Sequence, residues 1–143
     1  MISNLDRISS DSISRTVNYV LKDSAQVVAT NMPAGLLKKC RNLTTSFRSI
    51  ASLNKRVKKP LYHISIRCAP EDGSLSPLEW SKISGRFLEL MELEENPFTA
   101  ATHGDNHVHL LISRVDDSGK CYDASWDCFK AQKALRTIES EGK

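Results

Sequence analysis

Apolar positions along this chain change period several times, and each change marks an element. Ile13, Val17, Val20 and Leu21 recur at helical spacing behind Ser12, which predicts a capped helix over 13–22. Leu36, Leu37, Cys40, Leu43, Phe47, Ile50 and Ala51 form a second stripe and predict a helix over 36–53. Residues 61–69 instead alternate, with Leu61, His63, Ser65 and Arg67 on one face and Tyr62, Ile64, Ile66 and Cys68 on the other. Ser76-Pro-Leu-Glu79 reads as a helix start, with Ser76 as N-cap, Pro77 at the first turn and Glu79 closing a capping box. That helix runs to about residue 92 and buries Trp80, Ile83, Phe87, Leu88 and Met91. Short strands are predicted over 25–30 and 98–102, a further strand opens at His107, and a last helix spans 125–140. The order is helix, strand, helix, strand, helix, strand, strand, helix, with a short strand as a further option among the first 12 residues. This pattern predicts an α+β fold: a mainly antiparallel sheet with helices packed on one face, the other face carrying the histidines.

Composition narrows the class. The 143 residues suit one domain, taken here as 1–143, with one real core. No run of about 18 apolar residues occurs, so no membrane insertion is expected. The start of the chain lacks the apolar stretch of a secretory signal. Cys40, Cys68, Cys121 and Cys128 form no Cys-x-x-Cys pair, which suits reduced thiols and a cytoplasmic location.

Charge is unevenly placed. Residues 1–67 hold 12 Lys/Arg against 3 Asp/Glu, whereas residues 68–143 hold 8 against 14. The basic half contains Lys38, Lys39, Arg41 and Arg48, then Lys55, Arg56, Lys58 and Lys59. Clustered basic charge is the footprint of a phosphate backbone, although a solvated helix face gives the same pattern.

Three of the four histidines, His103, His107 and His109, fall within seven residues. His107 and His109 point the same way along a strand. Gly104-Asp-Asn106 is turn chemistry, and a hairpin centred on Asp105 places His103 opposite His107. Three imidazoles then share one small volume, as a metal site requires. The cluster lacks cysteine and glutamate, which argues against a structural zinc knot. His63 shares a strand face with Ser65 and is expected to be structural.

The chain resembles plasmid relaxases, the mobilisation nucleases of conjugation, within the His-hydrophobic-His endonuclease superfamily. The matching stretches are Val17-Asn-Tyr-Val-Leu21, Asn31-Met-Pro-Ala-Gly35, Lys59-Pro-Leu-Tyr-His-Ile-Ser-Ile66, Thr102-His-Gly-Asp105, His107-Val-His-Leu-Leu-Ile-Ser-Arg-Val115 and Asp123-Ala-Ser-Trp-Asp127. The resemblance implies an enzyme that nicks and rejoins one DNA strand at a transfer origin through a covalent 5′-phosphotyrosine. It implies Tyr19 as nucleophile, His103, His107 and His109 as ligands of a divalent metal (Mn or Mg), and Asp105 as an assisting carboxylate. Ser65 would touch DNA near the nick, and Lys38, Lys39, Arg41, Lys55, Arg56, Lys58 and Lys59 would hold the strand. Partners implied are single-stranded or hairpin-flanked origin DNA, accessory proteins of the nicking complex and a coupling protein. Tyrosine ordinarily titrates near 10, so a nucleophilic phenol needs a metal or a base beside it.

Two departures from the pattern stand out. Only Asn106 separates His-x-Asp from His-x-His, where many relatives have several more residues. Typical relaxase domains also continue beyond the last helix, which leaves a domain trimmed at the C-terminus, a minimal family member or a decayed copy as the readings. Rival readings are a DNA-binding module without turnover and a metallonuclease whose nucleophile is water. Replication initiators and transposases usually carry their tyrosine in a helix after His-x-His, and the last helix here has none.

Overall fold

A computed structural model describes residues 1–22, 25–33, 39–69, 71, 73–103 and 106–142. Five strands and four α-helices follow in the order β1 (Ile2–Ile8), α1 (Ile13–Val20), β2 (Gln26–Thr30), α2 (Cys40–Ala51), β3 (Leu61–Arg67), α3 (Pro77–Met91), β4 (Phe98–Thr102), β5 (His107–Ser113) and α4 (Asp127–Glu141). The sheet order is β1-β3-β5-β4-β2, and every neighbouring pair is antiparallel. The fold is the expected α+β class, with the His-x-His strand β5 at the sheet centre.

The helices do not share one face, and this corrects the expectation. Tyr62, Ile64, Ile66, Val108, Leu110 and Ile112 pack under Trp80, Phe87 and Leu88 of α3 and Ala131, Leu135 and Ile138 of α4. Leu61, Ala101 and Leu111 point the opposite way and pack under Ile13, Val17 and Val20 of α1 and Leu43 and Phe47 of α2. The inner strands are therefore covered on both sides, and six of the seven residues of β5 are buried. At the end of the sheet beyond Leu111, His109 and His107 replace leucine on the α1 side, and the site opens there.

β1 is longer than a short option at the start of the chain suggested. All seven of its residues pair with β3, from Ile2 opposite Arg67 to Ile8 opposite Leu61. α3 is capped as expected: Glu79 N–H donates to the Ser76 hydroxyl, and the Ser76 N–H donates to the Glu79 carboxylate, both at 3.1 Å. The predicted starts of α2 at Leu36 and Leu37 lie outside the described residues.

Candidate active site

The hairpin register fixes the histidines. β4 and β5 pair as Ala101 opposite His109 and Thr102 opposite Val108, so the next pair in register is His103 with His107. The Thr102 hydroxyl donates to the His107 carbonyl at 2.7 Å and closes the strand ends. One nitrogen from each of His103, His107 and His109 lies within 4.8 Å of the others. Their rings sit close: 4.9 Å between His103 and His109 and 5.0 Å between His107 and His109.

Among the described residues, one nitrogen of each imidazole has a partner. His103 Nε2 donates to the Val20 carbonyl at the end of α1. His107 Nδ1 meets Asn106 Oδ1 at 3.0 Å. His109 Nδ1 meets His63 Nε2 at 2.9 Å. The second nitrogen of His109, Nε2, is buried and has no hydrogen-bond partner among the described residues. An orphaned buried nitrogen among three converging imidazoles fits a bound cation. Burial, then the neighbouring His63, His103 and His107 and the Arg67 cation, push His109 down to about 3. Burial and then Arg67 lower His107 as well. Burial lowers His63, against the opposing pull of its cross-strand neighbour Asp6. The lowering favours the neutral form of His63, His107 and His109, the form in which imidazole gives a lone pair to a metal.

Tyr19 faces this cluster from α1. Its ring centroid lies 5.7 Å from His109, 6.0 Å from His63 and 6.2 Å from His103, all edge-on. The residue is 49% exposed. Lys22 Nζ sits 4.9 Å from the ring centroid and adds a cation–π contact. The other tyrosines are committed elsewhere: Tyr62 donates to Asp127 and Tyr122 to the Met91 carbonyl.

The remaining expected residues divide by position. Ser65 is directly opposite His109 across β3 and β5, on the histidine face. Arg41 and Arg48 line a cleft of about 190 Å³ with Ser14 and Asn18 of α1, and among the described residues no carboxylate lines it. Lys39 caps the start of α2 and is exposed. Lys55, Arg56, Lys58 and Lys59 are exposed in the connector before Leu61, at the sheet end away from the histidines, so they are not brought to the cluster. Lys38 and Asp105 lie outside the described residues. Arg67 was not among the expected site residues; it is opposite His107 on the same face, and the alternation of β3, which puts His63, Ser65 and Arg67 together, was its signal. His63, expected to be structural, touches His109.

Fold and site together give a histidine cluster, with His-x-His on a central antiparallel strand and a helix-borne tyrosine beside it. The family model for the MobA/VirD2-like relaxase nuclease domain matches residues 19–143, and the chain belongs to this family. The matched range holds Tyr19 and all four histidines. No curated protein matches the chain. Membership makes this a DNA-nicking nuclease domain of the mobilisation type, in a family that depends on metal. Among the described residues, no helix is long and apolar enough to cross a membrane.

Proposed function

We propose that the domain nicks and rejoins one strand of plasmid DNA at a transfer origin through a covalent 5′-phosphotyrosine on Tyr19. A divalent ion, Mn²⁺ or Mg²⁺, is held by His103, His107 and His109. The observation that carries this reading is the half-exposed Tyr19 ring packed within 6.2 Å of three imidazoles, two of them candidate ligands.

A divalent ion held by His103, His107 and His109 would supply charge withdrawal from the non-bridging phosphate oxygens. The chain's own groups do the rest. Tyr19 Oη bonds to phosphorus and the P–O3′ bond breaks. The phenolic proton leaves Tyr19 and one proton ends on the released 3′-hydroxyl, so charge and atoms balance. The phosphodiester energy is kept in the tyrosyl phosphate, and attack by a 3′-hydroxyl reverses the sequence and reseals the strand. Asp105 assists Tyr19 or the histidines. Ser65 and Arg67, on the histidine face of β3, hold the phosphate next to the scissile one. Arg41 with Lys38 and Lys39, and farther off Lys55, Arg56, Lys58 and Lys59, hold the strand outside the centre. Accessory nicking proteins and a coupling protein complete the machinery in the cytoplasm.

A covalent-adduct assay tests the reading. Protein with Mn²⁺ or Mg²⁺ is incubated with end-labelled single-stranded origin DNA and run on a denaturing gel. Wild type yields a shifted protein–DNA band, and both Tyr19→Phe and His107→Ala lose it by at least about 100-fold. Cleavage that survives Tyr19→Phe without an adduct assigns the nucleophile to water instead. Binding with no cleavage assigns the domain to the DNA-binding modules.

A further inference from the structure

We infer that His63 is a positioning residue for the metal centre: its Nε2 accepts a hydrogen bond from His109 Nδ1–H and thereby presents the His109 Nε2 lone pair to the ion. The inference rests on the reading that His103, His107 and His109 hold a metal.

Geometry separates His63 from the ligands. Among the described residues, the group able to share one cation is His103, His107 and His109. His63 instead spends its Nε2 on His109 Nδ1 at 2.9 Å. Its ring is stacked on that of His109, with centroids 5.1 Å apart and planes at 29°. The register explains the contact: Ser65 pairs with His109 and His63 with Leu111, so the two imidazoles are diagonal neighbours on one sheet face.

Proton accounting then assigns the direction of the bond. A neutral imidazole carries one proton on two nitrogens. A proton on His109 Nε2 would be a buried donor without an acceptor, because that atom has no partner among the described residues. A proton on Nδ1 has an acceptor at 2.9 Å in His63 Nε2. That tautomer leaves the Nε2 lone pair of His109 free for a cation. The same logic runs through the cluster, where the Val20 carbonyl takes the proton of His103 Nε2 and Asn106 Oδ1 engages His107. Outer partners of this kind fix ligand tautomer and ring angle. His109 is the most enclosed of the three ligands, 5% exposed, and has least freedom to find another partner.

Two variants and one spectrum test the assignment in the full chain. His63→Phe keeps a flat ring against His109 and removes the acceptor. His63→Gln keeps an acceptor near the position of Nε2. Calorimetric titration with Mn²⁺ is expected to show His63→Phe weakened about 10–100-fold, with His63→Gln close to wild type. Circular dichroism in chelator reports whether each variant is folded. Ring ¹⁵N NMR of the wild type, free and with Zn²⁺ as a diamagnetic probe, should place the His109 proton on Nδ1 and leave His63 unligated. The assignment falls if His63→Phe binds Mn²⁺ like wild type. It falls equally if the proton is on His109 Nε2, or if His63 shows the shift of a ligated nitrogen. Should His63→Phe fail to fold, the wild-type spectrum alone decides. A wild type that takes up no Mn²⁺ removes the metal reading itself, and with it the role of His63. Intact Mn²⁺ uptake insensitive to His63→Phe removes only the latter.

Discussion

Asp127 sits at the start of α4, 3% exposed, and receives Arg7 Nε at 2.9 Å and the Tyr62 hydroxyl at 3.0 Å. Burial pushes its carboxyl up, but the hydrogen bonds from Arg7 and Tyr62 outweigh that and hold it below the ordinary 3.8. The same burial, followed by the Asp127 charge, pushes the Tyr62 phenol well above its usual range. A depressed carboxyl stabilises the fold above its unfolded pKa and ceases to do so as pH falls through its folded pKa. Asp127→Asn is therefore expected to lose about 1–2 kcal/mol at pH 7, since bonds to a charged acceptor become neutral ones. The gap should largely close near pH 2. Urea melts of both proteins at the two pH values check this; an equal gap at both would mean the carboxyl is not held down. None of these atoms touches the histidine cluster, so metal uptake should not change.

At the scale of elements, α3 carries the largest share of one core through Trp80, Phe87, Leu88 and Met91, and its start is held by the Ser76–Glu79 box. Ser76→Ala is expected to cost about 1 kcal/mol, read as a lower urea midpoint with unchanged slope. A result under about 0.3 kcal/mol would show that packing alone sets the helix start. This box was legible because the cap needs particular residues at fixed spacing. The hairpin of β4 and β5 was legible for a related reason: turn residues between two apolar runs fix a register, and the register brings His103 and His107 together. β1 was harder to see. It is an edge strand with Ile2 70% exposed, and its order comes from backbone pairing to β3 more than from side-chain burial. The split of helices between two faces was hidden as well. An amphipathic stripe says that a helix is covered, not by which side of the sheet. The contact of His63 with His109 was not legible, because it depends on which residue of the next strand is its diagonal neighbour.

For the whole molecule, the question is how a basic half with 12 Lys/Arg serves a site built at one end of a sheet. β3 carries Arg67 at the histidine end and Leu61 at the other, about 20 Å apart for an extended strand. Lys55, Arg56, Lys58 and Lys59 precede Leu61, so a strand lying on the histidines must run the length of the sheet to meet them. Arg41 and Arg48, in the cleft against α1, lie on the helix pair that carries Tyr19. Two charge-removal variants then separate by DNA length. Arg41→Gln with Arg48→Gln should weaken binding of a short oligonucleotide that covers only the nick. Replacing all four connector cations by Gln should leave that oligonucleotide unaffected and weaken only a longer one. For the longer strand, the slope of log affinity against log salt should shallow by up to about 0.7 per lost phosphate contact. Fluorescence anisotropy over a salt series reads both quantities. Equal sensitivity of short and long strands to the connector variant would mean that these cations reach the nick. No sensitivity of either strand would make them a solvated turn, with the basic half reduced to the residues around α1 and α2.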